Sequence, residues 1–219
     1  MEHLKDVPGV FTRNGKLYTE SSLPGKRVYG ERLVTDGGTE YREWSPRRSK
    51  LSAYLTNGGR VFPFTETSSV LYLGASGGTT ASHVSDVCVK GKIICVEISK
   101  RMFRDLVTVC EGRPNMIPVL GDATKPEEYL FASDRVEIVY QDVAQKRQAE
   151  IAADNAEAFG AEYGMLCVKA NSEDVAKEPK AVYAEAESVL RGRGFAILDS
   201  RSLEPYEKNH VMIVFGAKK

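Results

Sequence analysis

Residues 70–87, VLYLGASGGTTASHVSDV, decide the fold, because an apolar run, a glycine-rich turn and a helical pattern follow one another without a gap. Gly74, Gly77 and Gly78 allow a sharp turn and a close approach of the backbone to a ligand. Thr79 and Thr80 open the helix, whose first N–H groups lack partners within the helix and attract an anionic or polar group. The spacing is not GxGxxG. Taken alone, the segment reads equally as a tight structural turn and as part of a nucleotide-like cofactor site.

Downstream, the apolar runs IICVE (93–97), MIPVLGD (116–122), EIVYQD (137–142), GMLCVKA (164–170) and FAILDS (195–200) alternate with helical patterns. Those patterns lie roughly at 79–89, 100–110, 145–159 and 175–191. Continuous apolar strands separated by helices predict a parallel sheet covered on both faces. The last run, HVMIVFGA (210–217), follows FAILDS after the short loop RSLEPYEKN and no helix. Without a crossover helix it should pair antiparallel with a neighbour. A mostly parallel seven-stranded sheet with an antiparallel last strand points to an α/β class I (Rossmann-like) methyltransferase rather than a dehydrogenase.

Upstream the texture is different. GVFTRNGKLYT (9–19) places Asn14-Gly15 between two short alternating runs, a type I′ hairpin signal, and residues 26–44 repeat the idea around Asp36-Gly37-Gly38. This antiparallel unit is too short for much core of its own and should pack on the α/β part of the chain. SPRRSKLSAYLTNGG (45–59) reads as a short helix with Ser45 as N-cap, Pro46 at the first helical position and Asn57-Gly58 at its end. The expected organisation is a small β-hairpin domain over 1–55 and a methyltransferase domain over 56–219.

Thirty basic and thirty acidic residues cancel, which argues against gripping nucleic acid through one broad basic face. Residues 1–60 carry eleven lysines and arginines against seven acids, a balance of +4, so the remainder is −4. A locally basic edge beside a neutral body suits an enzyme whose RNA is delivered partly by partners. No apolar run approaches the ~20 residues of a membrane helix. The segment MEHLKDVPGVF also lacks a signal peptide's apolar centre, so a cytoplasmic protein without membrane contact is expected. Cys88, Cys95, Cys110 and Cys167 form no CxxC pair and have no histidine at metal-ligand spacing, so neither a disulfide nor a metal is expected.

Glu97 closes the second strand, where an acidic side chain can accept both hydroxyls of a ribose, and Asp122 closes the third, placed to hold an adenine amino group. Each could equally be a helix-capping carboxylate. With the glycine turn they converge from three successive strand ends on the carboxyl edge, where open α/β sheets bind ligands, so an adenosine-containing cofactor is expected. The antiparallel last strand favours S-adenosylmethionine over NAD, as does Asp142 in VYQDVAQ (139–145), which would lie beside the cofactor's reactive end.

Methyl transfer to an unactivated ribose hydroxyl needs a base, or positive charge that stabilises the alkoxide. A lysine serves as base only if burial or a second cation lowers its pKa, and a carboxylate alone raises it. Asp142 follows strand four, Lys169 ends strand five, His210 begins the last strand, and Lys50 lies just before the core sheet. Singly, a strand-end lysine reads as a solvated tip and His210 as a half-buried residue. Arg47, Arg48, Lys146 and Arg147 lie near this predicted site and are candidate phosphate contacts, or plain solvated charges.

WSPRRSKLSAYL (44–55), VLYLGASGGTT (70–80), VYQDVAQ (139–145), LCVKANSED (166–174) and LEPYEKNHVMIVFG (203–216) resemble, in that order, segments of the fibrillarin family. The resemblance runs from about Val10 to the C-terminus. It implies a Lys-Asp-Lys-His tetrad at Lys50, Asp142, Lys169 and His210, with Asp142 and Lys169 nearest the chemistry. Implied contacts to S-adenosylmethionine fall on Gly74, Thr79, Thr80, Glu97, Ile98, Asp122, Ala123 and Asp142 through Val143, Ala144 and Gln145. The implied activity is 2′-O-methylation of rRNA, and of tRNA, by the catalytic subunit of a box C/D ribonucleoprotein. The implied partners are a Nop-domain scaffold protein, a kink-turn-binding ribosomal-type protein, a box C/D guide RNA and the target RNA. Gly77 stands where the family usually has a small polar residue, and Gln141 where alanine is commoner. The Gly/Arg-rich tail of eukaryotic members is missing, which points to the archaeal form. Competing expectations are a non-catalytic scaffold keeping the same fold, and a methyltransferase acting on small molecules or proteins.

Overall fold

The computed structural model describes residues 1–132 and 135–217. Its chain opens with five short strands, β1 (Glu2–His3), β2 (Val10–Arg13), β3 (Lys16–Glu20), β4 (Leu33–Asp36) and β5 (Thr39–Glu43), in one antiparallel sheet of order β1-β2-β3-β5-β4. Both expected hairpin turns form. Asn14 and Gly15 have φ of 51° and 73°, and Gly37 and Gly38 have 58° and 86°, the left-handed pair that a two-residue turn between twisted strands requires. The strand β1 carries no pattern of its own and forms by pairing with β2.

A short helix α1 (Lys50–Thr56) leads into the alternating part: β6 (Ser69–Leu73), α2 (Thr79–Val87), β7 (Lys92–Glu97), α3 (Lys100–Glu111), β8 (Met116–Leu120) and β9 (Ile138–Gln141). The chain continues through α4 (Gln148–Phe159), β10 (Tyr163–Lys169), α5 (Ala170–Glu173), α6 (Pro179–Gly192), β11 (Phe195–Ser202) and β12 (His210–Ala217). The large sheet has the order β8-β7-β6-β9-β10-β12-β11, and β12 runs antiparallel to both its neighbours. This is the class I methyltransferase arrangement expected from the strand and helix alternation. One apolar cluster lies against α2 and α3 on one face, and another lies against α4 and α6 on the other.

Three boundaries differ from the sequence reading. α1 begins at Lys50 rather than after Ser45, because Ser45–Arg48 closes a turn through Arg48 N–H to the Ser45 carbonyl (3.1 Å). Pro46 takes the second position of that turn, which its fixed φ also suits. Ser49 then caps the helix, accepting from Ser52 N–H at 3.3 Å. The expected domain boundary at 55/56 therefore falls inside α1, and Val10, Leu17 and Trp44 share one apolar cluster with Leu51 and Tyr72. α4 begins at Gln148, three residues late, because Arg147 takes φ of 61° and Glu173 accepts from its N–H at 2.9 Å. The helix expected at 175–191 starts four residues late, as α6 at Pro179, and the short α5 before it was not expected.

The small sheet docks on α2 through buried charge. Arg42 of β5, with no exposed surface, bonds Glu31 (Nε–Oε1, 2.7 Å), Asp86 (Nη1–Oδ2, 2.6 Å) and Ser82 (Nη2–Oγ, 2.9 Å). Asp86 also receives Arg113 Nη1 at 2.6 Å and the Ser22 hydroxyl at 2.7 Å. Beside it, His83 lies 2.8 Å from both Thr19 Oγ1 and Tyr29 Oη and stacks on Trp44. Burial, with the Arg42 and Arg113 guanidiniums nearby, pushes His83 well below its ordinary value and keeps it neutral. Two guanidiniums against two carboxylates balance, and buried charge persists only when so paired. Asp86→Ala leaves both arginines short of a counterion, and we expect a loss of about 3–5 kcal/mol in urea unfolding. A loss under about 1 kcal/mol would mean that the seam carries little of the docking.

Candidate active site

The turn after β6 is dictated by crowding at its first residue. Gly74 has φ of 78°, and a Cβ there would lie 2.7 Å from the Asp142 carbonyl oxygen. No side chain fits. Gly78 is left-handed (φ 84°) and faces Val109 of α3, whereas Gly77 has ordinary φ and room for a Cβ. The third left-handed position is Ser76 (φ 49°), so the conformational demand expected at Gly77 falls one residue earlier.

Glu97, 8% exposed, ends β7 directly beside this turn. Its Oε2 accepts from Ser76 N–H and its Oε1 from Ser99 N–H, both at 2.7 Å, which holds the carboxylate across the strand ends. Ile98 follows it and is 55% exposed, an apolar side chain left open at the rim. Asp122, just past β8, accepts from Thr124 N–H at 3.0 Å. That N–H, helped by the Gln145 amide, outweighs partial burial and holds the carboxyl below the usual range. Gln145 Oε1 is buried without a protein partner.

One cavity of about 260 Å³ is walled by Gly74, Glu97, Ile98, Ala123, Asp142, Val143, Ala144, Gln145 and Lys169; Asp122 is not on this lining, although its neighbours Gly121 and Ala123 are. Ser76, Val96 and Gly121 also line it and were not anticipated; their contributions are backbone and packing, which leave no mark on residue type. Thr79 is not on this cavity. It borders a second one of about 800 Å³, with Lys26, Arg27, Tyr29 and Arg48. The Thr80 hydroxyl donates to Ser49 Oγ at 3.0 Å, so neither threonine side chain joins the others.

Where Asp142 and Lys169 line the first cavity, two lysines meet one carboxylate, although Lys50 itself is not on that lining. Lys50 Nζ, from the start of α1, donates to Asp142 Oδ2 at 3.0 Å. Lys169 Nζ, from the end of β10, lies 2.8 Å from Oδ1 and donates to the Asp142 carbonyl at 3.1 Å. All three side chains are about 15–17% exposed, buried yet reachable. Burial pulls the Lys50 ammonium down, but the Asp142 carboxylate outweighs it and holds Lys50 above the ordinary lysine range. Lys50 therefore keeps its proton at neutral pH, which removes it as a candidate base. His210 stands directly across from Lys169 in the β10–β12 register. Its Nδ1 lies 2.7 Å from the Lys208 carbonyl, which can only accept, so the neutral ring leaves Nε2 as acceptor.

Gln141 is wholly buried and donates through Nε2 to the Gln148 carbonyl at 2.7 Å. Gln148 in turn grips the Lys169 backbone, accepting from its N–H at 2.9 Å and donating to its carbonyl at 3.2 Å. The uncommon glutamine before Asp142 thus braces the strand that carries Lys169. Of the four outlying cations, Arg47 stacks over Tyr206 and Arg48 over Tyr29, while Lys146 is exposed and Arg147 turns toward Glu150.

The fibrillarin family model matches residues 1–219. The chain belongs to the fibrillarin family. It is 54% identical over 199 residues to the fibrillarin-like rRNA/tRNA 2′-O-methyltransferase of Methanopyrus kandleri, covering 90% of this chain and 86% of that one. A fibrillarin of Aeropyrum pernix, solved with natively bound S-adenosyl-L-methionine, superposes with a TM-score of 0.84 at 43% identity, over 91% of this chain and 88% of that one. A solved fibrillarin/Nop5p complex matches with a TM-score of 0.90 at 38% identity over the whole of both chains.

The residues at the cavity fit the cofactor of this fibrillarin fold. A carboxylate suited to a ribose diol, an open apolar side chain and an acceptor without a protein partner all line the cavity, together with the lysine-paired Asp142 carboxylate. Gly74→Ala should lower S-adenosylmethionine affinity at least tenfold by calorimetry, since its Cβ must displace the Asp142 backbone. Unchanged affinity would show that the turn can relax without disturbing the cavity.

Proposed function

We propose that this chain transfers a methyl group from S-adenosylmethionine to ribose 2′-hydroxyls of rRNA, and of tRNA, as the catalytic subunit of a box C/D guide ribonucleoprotein. The observation that carries the reading is Asp142 held between Lys50 and Lys169 beside the cavity. The name of the Methanopyrus kandleri relative, an rRNA/tRNA 2′-O-methyltransferase, supports the same activity.

Glu97, Ile98, Asp122, Ala123 and Gln145 would hold the cofactor's adenosine, and the first-turn N–H groups of Thr79 and Thr80 are suited to a carboxylate. When bound, the cofactor supplies an electrophilic methyl on a sulfonium. Asp142 contributes negative charge to the cavity. Because a hydroxyl is a poor nucleophile at neutral pH, the cleft must favour its deprotonated form. Lys50, which keeps its proton, acts as a fixed cation that stabilises the developing alkoxide. Asp142 and His210 Nε2 remain as acceptors for the proton, while the Lys169 ammonium adds a second positive charge beside Asp142. Asp142 also fixes the two ammonium groups relative to each other, so that positive charge is aimed before substrate arrives.

The fibrillarin/Nop5p complex supports a Nop-domain scaffold as partner. The proposal extends to a kink-turn-binding ribosomal-type protein and a box C/D guide RNA, with base pairing selecting the nucleotide. Zero net charge agrees with that delegation. No helix among the described residues is long and apolar enough to cross a membrane, and the proposed setting is the cytoplasm.

Methyl transfer from labelled S-adenosylmethionine to a guide-matched RNA should require the assembled particle and vanish when the target ribose lacks its 2′-hydroxyl. Cofactor binding without transfer in a proper assembly would instead support the scaffold reading. In the same assay, Lys50→Arg keeps the charge and should retain a measurable share of turnover, whereas Lys50→Met should lose about 10²–10³-fold. Equal losses in both variants would overturn the cation role.

A further inference from the structure

Thr80 falls among the cofactor contacts that the family resemblance implies, yet its side chain bonds other residues of the protein, Ser49 and the buried Tyr72. It is the second residue of α2, the helix that starts at the glycine turn, and it is 8% exposed. Its hydroxyl donates to Ser49 Oγ at 3.0 Å, and Ser49, 2% exposed, is the cap of α1. The next residue is Lys50. The same Ser49 oxygen accepts from Ser52 N–H, so one hydroxyl both starts the helix and receives the bond from α2.

The rest of α1 is tied elsewhere. Ser52 Oγ donates to the Trp44 carbonyl at 2.6 Å, and Tyr54 Oη donates to Asp199 Oδ2 at 2.8 Å. Asn57 donates to the Ser202 and Glu204 carbonyls near the end of β11. Those bonds hold the middle and the far end of the helix to the small sheet and to β11. The Thr80–Ser49 bond joins its first turn to the element that carries the cofactor turn. Lys50 must reach Asp142 across the gap between these two parts of the chain, and its Nζ–Oδ2 distance of 3.0 Å leaves little tolerance. A shift of 1 Å in a group that orients the reaction can cost about 100-fold in rate.

We propose that the Thr80 hydroxyl is a positioning group that sets Lys50 against Asp142 through Ser49, and is not itself a cofactor ligand. This rests on the assignment of Lys50 to the methyl-transfer site. The link also gives the cofactor turn and Lys50 a common reference, because α2 begins just after Gly78 and its first turn is bonded to Ser49.

Thr80→Val keeps shape and removes the hydroxyl, Thr80→Ser keeps the hydroxyl and removes the methyl, and Ser49→Ala removes the acceptor. S-adenosylmethionine affinity is read by calorimetry on the free chain, and kcat and KM for target RNA in the assembled particle. The expected result is a kcat lowered about 10- to 100-fold for Thr80→Val. Cofactor Kd should stay within about twofold of wild type, Thr80→Ser should recover most of the rate, and Ser49→Ala should add no further loss to Thr80→Val. A tenfold weaker Kd with unchanged kcat would overturn the proposal and make the hydroxyl a cofactor ligand. Thr80→Ser as slow as Thr80→Val would overturn it in favour of methyl packing, and wild-type kcat in Thr80→Val would overturn it outright. Failure of the methyltransferase reading is distinguishable, because there the wild-type particle itself transfers nothing.

Discussion

Asp86 is the residue on which the rest of the assembly leans. It sits on α2 with no exposed side-chain surface and pairs with two guanidiniums at once, Arg42 from the small sheet and Arg113 from beyond α3, while Glu31 supplies the second negative charge. A sheet of five short strands buries too little apolar surface to be held firmly by packing alone. Directional, charge-assisted bonds in a dry seam fix its angle on α2 as well as its distance. Through that angle they set where α1 begins. Lys50 enters the active site from the first turn of the helix that follows directly on this sheet.

At the cleft the electrostatics are arranged around a surplus of positive charge. Two lysines share one carboxylate, so that trio carries a net charge of +1 before any ligand enters. Asp142 satisfies both ammonium groups and thereby keeps Lys50 charged despite its burial, where an unpaired lysine would tend to lose its proton. The geometry is braced from behind on both sides. Gln148, itself bonded by Gln141, holds the Lys169 backbone, and Ser49 stands immediately before Lys50. Rigid placement matters because hydrogen-bond donors and charges stabilise a transition state to the extent that they need not reorganise.

Much of the fold was legible because strands and helices of an open α/β sheet have distinct apolar periods, and the missing helix before HVMIVFGA forces an antiparallel strand. The hairpin turns were legible for an equally local reason, since Asn-Gly and Gly-Gly tolerate left-handed backbone. The element starts were less so. Ser45-Pro46 is as good a helix opening as Ser49, but in the fold Ser45 closes a turn with Arg48, and Ser49 also accepts from Thr80, thirty-one residues away. The start of α4 was set by Glu173, which captures the Arg147 and Gln148 N–H groups from the end of α5. Ser49 could have been weighed as a cap from its place before Lys50, whereas nothing local marked Gln148 as the brace of Lys169.

Residue order is enough to dictate the alternation of strands and helices in the parallel core, the turn at Gly74, and the acids at successive strand ends. Those are consequences of periodicity, glycine and strand polarity, all of which act over a few residues. Only the folded chain brings Lys50 to Asp142, keeps Lys50 protonated, and turns Thr80 toward Ser49 while Glu97 faces the cavity. Each of those outcomes depends on distances between segments far apart in the chain. A charge or hydroxyl acquires its role from what lies within a few ångströms of it, and residue order does not encode that separation.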